Sequence, residues 1–536
     1  MSPQAQHRDR QISGFLSRWG SMALAVLALA VCVASKGMGQ NPQSFSKAKN
    51  VIILVGDGAG YSCWLAAAMF LGRFDGQTGR TEFVVDGKEW LQLGCATYPL
   101  TLSTRPRGSG KQDPEIVYDP KKAWDPVEGY QWLVKSATDS AGAGTAMSTG
   151  RKTYNNAINW SDEDRPIQPT LVEIAKELGK STGVVTSVQW SHATPATLGG
   201  AKVPKRDDYE TIAQQMIREG LLDVIMGAGH PEYDNNGRPL PPDKYDYKYV
   251  GGKELWQALE HARGQPGGTY LGFRPVVTKE EFASLASGPV PPRVVGTAMV
   301  AATLQASRTV TKPGEPGTPQ TQAGIASVAR SSALSGSASS PSLGGQSAET
   351  ATQLYLAPFA EPVNENVPTL EVMASGALNI LDDNPNGFFL MIEGGAIDWA
   401  NHANRADRMI EEMIDFLRTI ETVVHWVESH SSWGETLVII TADHETGLIW
   451  GPQSDKVPFQ PLEDRGPGRL PGLRYNATQH SNSLVPLYAR GPGAEAFRQL
   501  IEGEDPVRGP FVHLTSIFYV AAQALTGQPV QGNKGQ

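Results

Sequence analysis

VIILVGDG, from Val51 to Gly58, is an apolar run that stops at an acid set between two glycines. Such a run suits a strand covered on both faces, as in a parallel sheet, better than the alternation of a half-exposed one. Similar runs lie at 183–188, 223–226, 387–393, 436–443 and 484–490, and the first begins at Asn50. Helical patterns separate them. From Ala406 to Ser429, residues Met409, Ile410, Met413, Ile414, Phe416, Leu417, Ile420, Val423 and Val424 recur at helical spacing, a stripe that reads as core packing. Strands alternating with helices predict an α/β sheet.

With 536 residues, 40% of them hydrophobic and 19% charged, the chain can build a core large enough for a buried site. The formal charge of -9 argues against nucleic acid as the main partner, since phosphate-backbone binding rests on clustered Lys and Arg. Three cysteines exclude a disulfide framework, a four-cysteine zinc site and an all-cysteine iron–sulfur cluster. Arg8, Arg10 and Arg18 precede an uncharged run from Met22 to Ala34, with small residues around Gly37 and Gly39. This predicts a secretory signal over 1–39, hence export to a periplasmic or extracellular location, with a single N-terminal anchor as the alternative. The run is short for a bilayer span, and no membrane span is expected in the mature chain. Residues 40–536 then read as one domain. Within it, 303–352 is Ser, Ala, Gly, Thr, Gln and Pro with hardly an aromatic, which predicts a low-complexity surface insertion.

Acids and histidines gather where the apolar runs end. Asp57 closes the first, at the edge where open α/β sheets place ligands, although a turn-capping Asp fits as well. FFLMIEGGAIDWANHAN, from Phe388 to Asn404, ends its strand on Glu393 and then places Asp398 and His402 four residues apart, on one helix face. That pair suits zinc, although in isolation such a pair is more often a surface helix contact. TLVIITADHETG, from Thr436 to Gly447, ends on adjacent Asp443 and His444, and His480 precedes the last strand. Ser140 opens a run of small residues that should be helical, so its hydroxyl lies where backbone N–H groups favour an anion, or serves simply as a cap. Four strand ends each delivering Asp, Glu or His weigh more than any one motif.

At this point the sequence resembles the alkaline phosphatases. The matching segments are VIILVGDGAG, TDSAGAGTAMSTGRKTYN, SHATPATLGG, DVIMGAGHPEY, MIEGGAIDWANHAN, TADHETG and QHSNSLVPLYARGPG, in the family's order from Val51 to Gly493. The resemblance implies a large, mostly parallel central sheet with helices on both faces, two zinc ions and one magnesium, and a phosphoseryl intermediate. By position it makes Ser140 the nucleophile. It gives Asp398, His402 and His480 to the first zinc, Asp57, Asp443 and His444 to the second, and Asp57, Thr194 and Glu393 to magnesium. Arg206 matches the phosphate-clamping arginine, with Lys202 and Lys205 as alternatives. His192 and Trp399 stand where some bacterial members carry Asp and Lys, which implies outer-shell tuning of magnesium and phosphate, or mutual packing at the rim. Small phosphorylated substrates and a homodimer are the implied partners. The implied activity is hydrolysis of phosphate monoesters; a phosphodiesterase or sulfatase on a related scaffold, or a non-catalytic phosphate-binding protein, is the alternative.

Overall fold

The computed structural model describes residues 46–309 and 355–529, so the expected signal segment and most of the expected insertion lie outside the described residues. Among the described residues the strands that build the main sheet and reach the site are β1 (Asn50–Val55), β2 (Leu91–Ala96), β3 (Ser181–Gln189), β4 (Val224–Ala228), β5 (Arg274–Val276), β6 (Val294–Thr297), β7 (Phe388–Glu393), β8 (Thr436–Thr441), β9 (Glu445–Thr446), β10 (His480–Ser481), β11 (Val485–Arg490), β12 (Gly503–Asp505) and β13 (Gly509–His513). Eleven of them form one sheet in the order β12-β13-β2-β11-β8-β1-β7-β3-β4-β6-β5, while β9 and β10 pair in a separate ribbon.

The centre of the sheet is parallel. β1 runs beside β8 and β7, and β7 runs beside β3, with Val55 opposite both Thr441 and Glu393, and Thr186 opposite Glu393. Every residue of β1, β7 and β8 is buried, as their unbroken apolar sequences require. Parallel neighbours in register end at one edge, so the residues just beyond β1, β7, β8 and β3 converge there. β11 is antiparallel to both β8 and β2, so its beginning, not its end, reaches the same edge. That reversal is what carries His480 to the others.

Helices α1 (Tyr61–Leu71), α2 (Ser140–Thr149), α3 (Ala193–Leu198), α4 (Tyr209–Arg218), α5 (Leu370–Leu381), α6 (Ala396–His402), α7 (Ala406–His430) and α8 (Thr515–Thr526) pack around the sheet. The apolar stripe expected on α7 is buried throughout. α2 is buried at all ten positions because its residues are small. A Cβ on Gly144 would stand 2.2 Å from Thr197 Oγ1 of α3, so only glycine lets these two helices approach so closely. Five sheet strands escape the sequence reading: β2 is interrupted by Gln92 and Gly94, and β5, β6, β12 and β13 are short. In such strands pairing, rather than intrinsic pattern, sets the conformation.

The first residues of the expected insertion are packed into the body. Leu304 N donates to Ser187 O at 2.9 Å, and the Arg308 guanidinium meets Glu411 Oε2 of α7 at 2.6 Å. Arg408 joins the same oxygen at 3.0 Å and also pairs with Glu361, which holds Arg405 at 2.9 Å. Residues 308 and 361, on either side of the undescribed stretch, are thus fastened to one helix. Cys63 and Cys95 are buried and unpaired with each other.

Candidate active site

Asp57 follows β1 through a turn that demands glycine. Gly58 has φ +69°, and a Cβ there would lie 2.9 Å from the backbone of Asp398. Its N–H donates to Asp443 Oδ1 at 3.1 Å, tying the ends of β1 and β8 together. Asp57, Asp443 and His444 form one group of buried ligand atoms, all within 4.8 Å of one another. His444 Nε2 is 3.1 Å from Asp443 Oδ2 and 3.6 Å from Asp57 Oδ1. Asp398, His402 and His480 form a second group within the same span, the carboxylate buried and the two imidazoles half-buried. One turn of α6 brings His402 Nε2 within 3.3 Å of Asp398 Oδ2, and the β9–β10 ribbon brings His480 Nε2 within 3.6 Å of Asp398 Oδ1. Thr446, opposite His480 in that ribbon, donates from Oγ1 to Asp398 Oδ1 at 2.6 Å.

Backbone carbonyls fix both imidazoles of the second group. His402 Nδ1 lies 2.6 Å from Thr478 O and His480 Nδ1 lies 2.9 Å from Thr138 O, so each Nδ1 must carry the hydrogen. Their Nε2 atoms then face each other at 3.0 Å. Two lone pairs cannot sit so close unless a proton or a metal cation lies between them. With a proton there, the pair splits. Burial opposes it, but Asp398 holds His402 up at about 9, while burial and His444 push His480 down to about 3.

A third group lies beside the first. Thr194 Oγ1, Glu393 Oε1 and Asp57 Oδ1 are buried without a hydrogen-bond partner among the described residues, as is Asp443 Oδ2. Thr186 donates to the other oxygen of Glu393. Burial and the charge of Asp443 raise Asp57 well above the usual carboxylate range, and burial raises Glu393 to about 7. Burying carboxylates together with empty acceptor oxygens is costly unless cations meet them. The donor chemistry divides accordingly: Asp/His sets suit zinc, and the Asp, Glu and Thr oxygens suit magnesium.

Ser140 Oγ completes the first group, 3.2 Å from His444 Nε2 at the start of α2. Asp139 caps that helix by accepting from Gly142 N at 2.9 Å and, through its other oxygen, holds Arg206 Nη1 at 2.9 Å. Burial works against both charges, yet the pair holds Asp139 below and Arg206 above its ordinary pKa. Lys202 is committed elsewhere, 2.5 Å from Glu173. His192 is held near 3 by burial and Arg206, and its ring lies 5.8 Å from that of Trp399.

Asp57, Ser140, Thr194, Arg206, Glu393, Asp398, His402, Asp443, His444 and His480 therefore gather at one edge of the sheet, while Lys202 turns to Glu173 and Lys205 is exposed. Asp139 as the anchor of Arg206, and Thr186 and Thr446 as carboxylate donors, were not found, because each pairs with a residue remote in the chain. The family model for alkaline phosphatase matches residues 127–464. The chain belongs to the alkaline phosphatase family. It is 26% identical over 521 residues to alkaline phosphatase H of Pseudomonas aeruginosa, covering 93% of this chain and 90% of that one. To the alkaline phosphatase of Escherichia coli it is 25% identical over 471 residues, 83% of this chain and 82% of the relative. Alkaline phosphatase 3 of Bacillus subtilis is 26% identical over 434 residues, 80% of this chain and 67% of the relative. The fold matches that of Thermus thermophilus alkaline phosphatase, with a TM-score of 0.55 at 20% identity over 93% of this chain and 97% of that one. A His-to-Asp mutant of TAB5 alkaline phosphatase with Mg bound in the M3 site matches at a TM-score of 0.52 and 22% identity, over 91% of this chain and all of that one. Alkaline phosphatase is thus the enzyme class of this chain, on an α/β scaffold with a large, mostly parallel sheet.

Proposed function

We propose that this enzyme hydrolyses phosphate monoesters through a phosphoseryl intermediate on Ser140. The observation that carries the reading is Ser140 Oγ at the start of a buried helix, 3.2 Å from His444 Nε2, with the Asp139–Arg206 pair beside it. Asp398, His402 and His480 would hold one zinc, Asp57, Asp443 and His444 a second, and Asp57, Thr194 and Glu393 a magnesium. When bound, these ions supply charge neutralisation and lower the pKa of hydroxyl and water ligands.

The chain's own groups do the rest. Arg206 offers a planar fork to two phosphate oxygens, and Asp139 keeps it aimed. The start of α2 adds backbone N–H groups to the same oxygens. Ser140 Oγ gives up its proton and forms a bond to phosphorus as the ester P–O bond breaks, and the departing alcohol takes up one proton in exchange. Water then attacks the same phosphorus, the Ser140 Oγ–P bond breaks, a proton from that water restores the Ser140 hydroxyl, and inorganic phosphate departs. Burial of the site keeps the intermediate from other acceptors.

The N-terminal layout supports export, and small phosphorylated compounds are the proposed substrates. The test compares a chromogenic phosphomonoester, a diester and a sulfate ester, each with and without chelator. Chelator-sensitive hydrolysis of the monoester, with labelled phosphate trapped on Ser140, is expected. Preference for the diester or the sulfate ester would overturn the reading, as would phosphate binding without turnover.

A further inference from the structure

Four aromatic rings form a continuous row beside Arg206. Trp399 lies 5.8 Å from His192, His192 lies 5.9 Å from Tyr209 at an interplanar angle of 13°, and Tyr209 lies 4.6 Å from Tyr249. Chain position ties the row to the chemistry. Trp399 follows Asp398, His192 comes two residues before Thr194, and Tyr209 comes three after Arg206. All four side chains are partly exposed. Rings serving the core alone would be covered, as Trp190 and Phe416 are. The Trp399 indole N–H and the Tyr209 and Tyr249 hydroxyls have no partner among the described residues. Lys248 Nζ already stands over the Tyr249 ring at 4.7 Å, so Trp399 and Tyr209 are the rings that remain to meet a ligand, together with the unused donors.

We propose that this row is a stacking wall for the alcohol part of the substrate, so that the enzyme favours phosphate monoesters carrying a planar ring, aryl phosphates or nucleoside monophosphates, over aliphatic ones. The inference rests on the phosphomonoesterase reading above. With phosphate fixed between Ser140 and Arg206, the ester's organic part must leave that pair, and the row borders Arg206. Aromatic side chains stack on any planar ring without needing a base-specific contact, and the free N–H and hydroxyls can meet its polar edge. Such contacts act on ground state and transition state alike, so they raise kcat/KM chiefly through KM.

The test measures kcat/KM for phenyl phosphate, adenosine 5′-monophosphate and glycerol phosphate in wild type, Tyr209→Ala, Tyr209→Phe and Trp399→Ala. The ratio of the aromatic esters to glycerol phosphate should fall about tenfold, ~1.4 kcal/mol, in each Ala variant, mainly through KM. Tyr209→Phe should keep most of the ratio. Sensitivity of phenyl phosphate alone would assign the wall to aryl esters, and sensitivity of both to nucleotides as well. As a second readout, Ser140→Ala should bind adenosine 5′-monophosphate about tenfold more tightly than glycerol phosphate in calorimetry, whether or not the rim variants fold. Equal affinity there, or parallel loss on all three substrates, would overturn the wall. A wild type inactive on every monoester would instead overturn the phosphomonoesterase reading itself.

Discussion

Ser140 and the histidines around it make separable predictions. Ser140→Ala should abolish trapping of phosphoserine and lower the rate by several orders of magnitude, measured by single-turnover labelling. Label recovered on another residue would refute the assignment. His402 and His480 share one ion if their facing Nε2 atoms, 3.0 Å apart, are bridged by a cation. Changing either to Ala should lower zinc content by about one per chain in elemental analysis, and full content in both would end the idea. His192, whose Nδ1 is buried and unpartnered two residues before Thr194, adds no negative charge there. His192→Asp should therefore tighten magnesium, because a carboxylate adds the negative charge and oxygen donors that this ion prefers. Titration of activity and of bound metal against added magnesium decides it; an unchanged midpoint counts against it. Ser140 was legible because it opens a helix of small residues, His402 because it lies one helical turn from Asp398, and His480 because it precedes an apolar strand, whereas His192 stood out only through the resemblance. Asp139 was not legible as the partner of Arg206, since 67 residues separate them and only the fold brings them to 2.9 Å.

At the scale of elements, α7 carries an unusual load. Its apolar stripe was readable from spacing alone, but its buried acids were not, because their cost depends on what packs above them. Glu412 is 5% exposed, and one of its oxygens has no hydrogen-bond partner among the described residues. Burial, with Asp415 and Glu411 nearby and only partly offset by Arg308, raises it to about 8. An acid whose pKa is higher folded than unfolded binds more protons when folded, so its contribution to stability is present below about pH 4.5 and is lost as pH rises through about 8. Glu412→Gln should flatten that decline and melt higher than wild type at pH 9, by an amount corresponding to a few kcal/mol. Denaturant midpoints at pH 5 and pH 9 test this; equal shifts at both would show that Glu412 stays charged. The short strands at the sheet's edges were illegible for the opposite reason, since three to six residues broken by Gly or Gln acquire strand geometry only from their neighbours.

For the whole molecule, cations and fold should be coupled. Four buried carboxylates, Asp57, Glu393, Asp398 and Asp443, meet at one sheet edge. Chelation should lower the melting temperature, and restoring zinc and magnesium should raise it again with ion concentration. No change on chelation would argue that the groups hold protons rather than metal. The stretch between the stems is a different matter. Deleting 310–352 with a short linker should leave activity largely unchanged, because Arg308 and Glu361 remain fastened to α7. Deleting from Thr303 instead removes Arg308 and leaves Arg408 as the one arginine on Glu411, which should cost about 1.5–3 kcal/mol for the lost charged hydrogen bond. Equal stability of the two deletions would contradict the role of that ion-pair cluster.

The reversal of β11 has a consequence in time as well as in space. Asp57 is among the first described residues to leave the ribosome, and His480 among the last, yet they end at one edge of one sheet. No nascent fragment that stops short of His480 can own a complete ligand set, however much of its sheet has formed. Closing so long a span is slow, so catalytic power would come late in the life of the chain. Metal capture would then mark the end of folding, the moment at which an inert chain becomes a hydrolase.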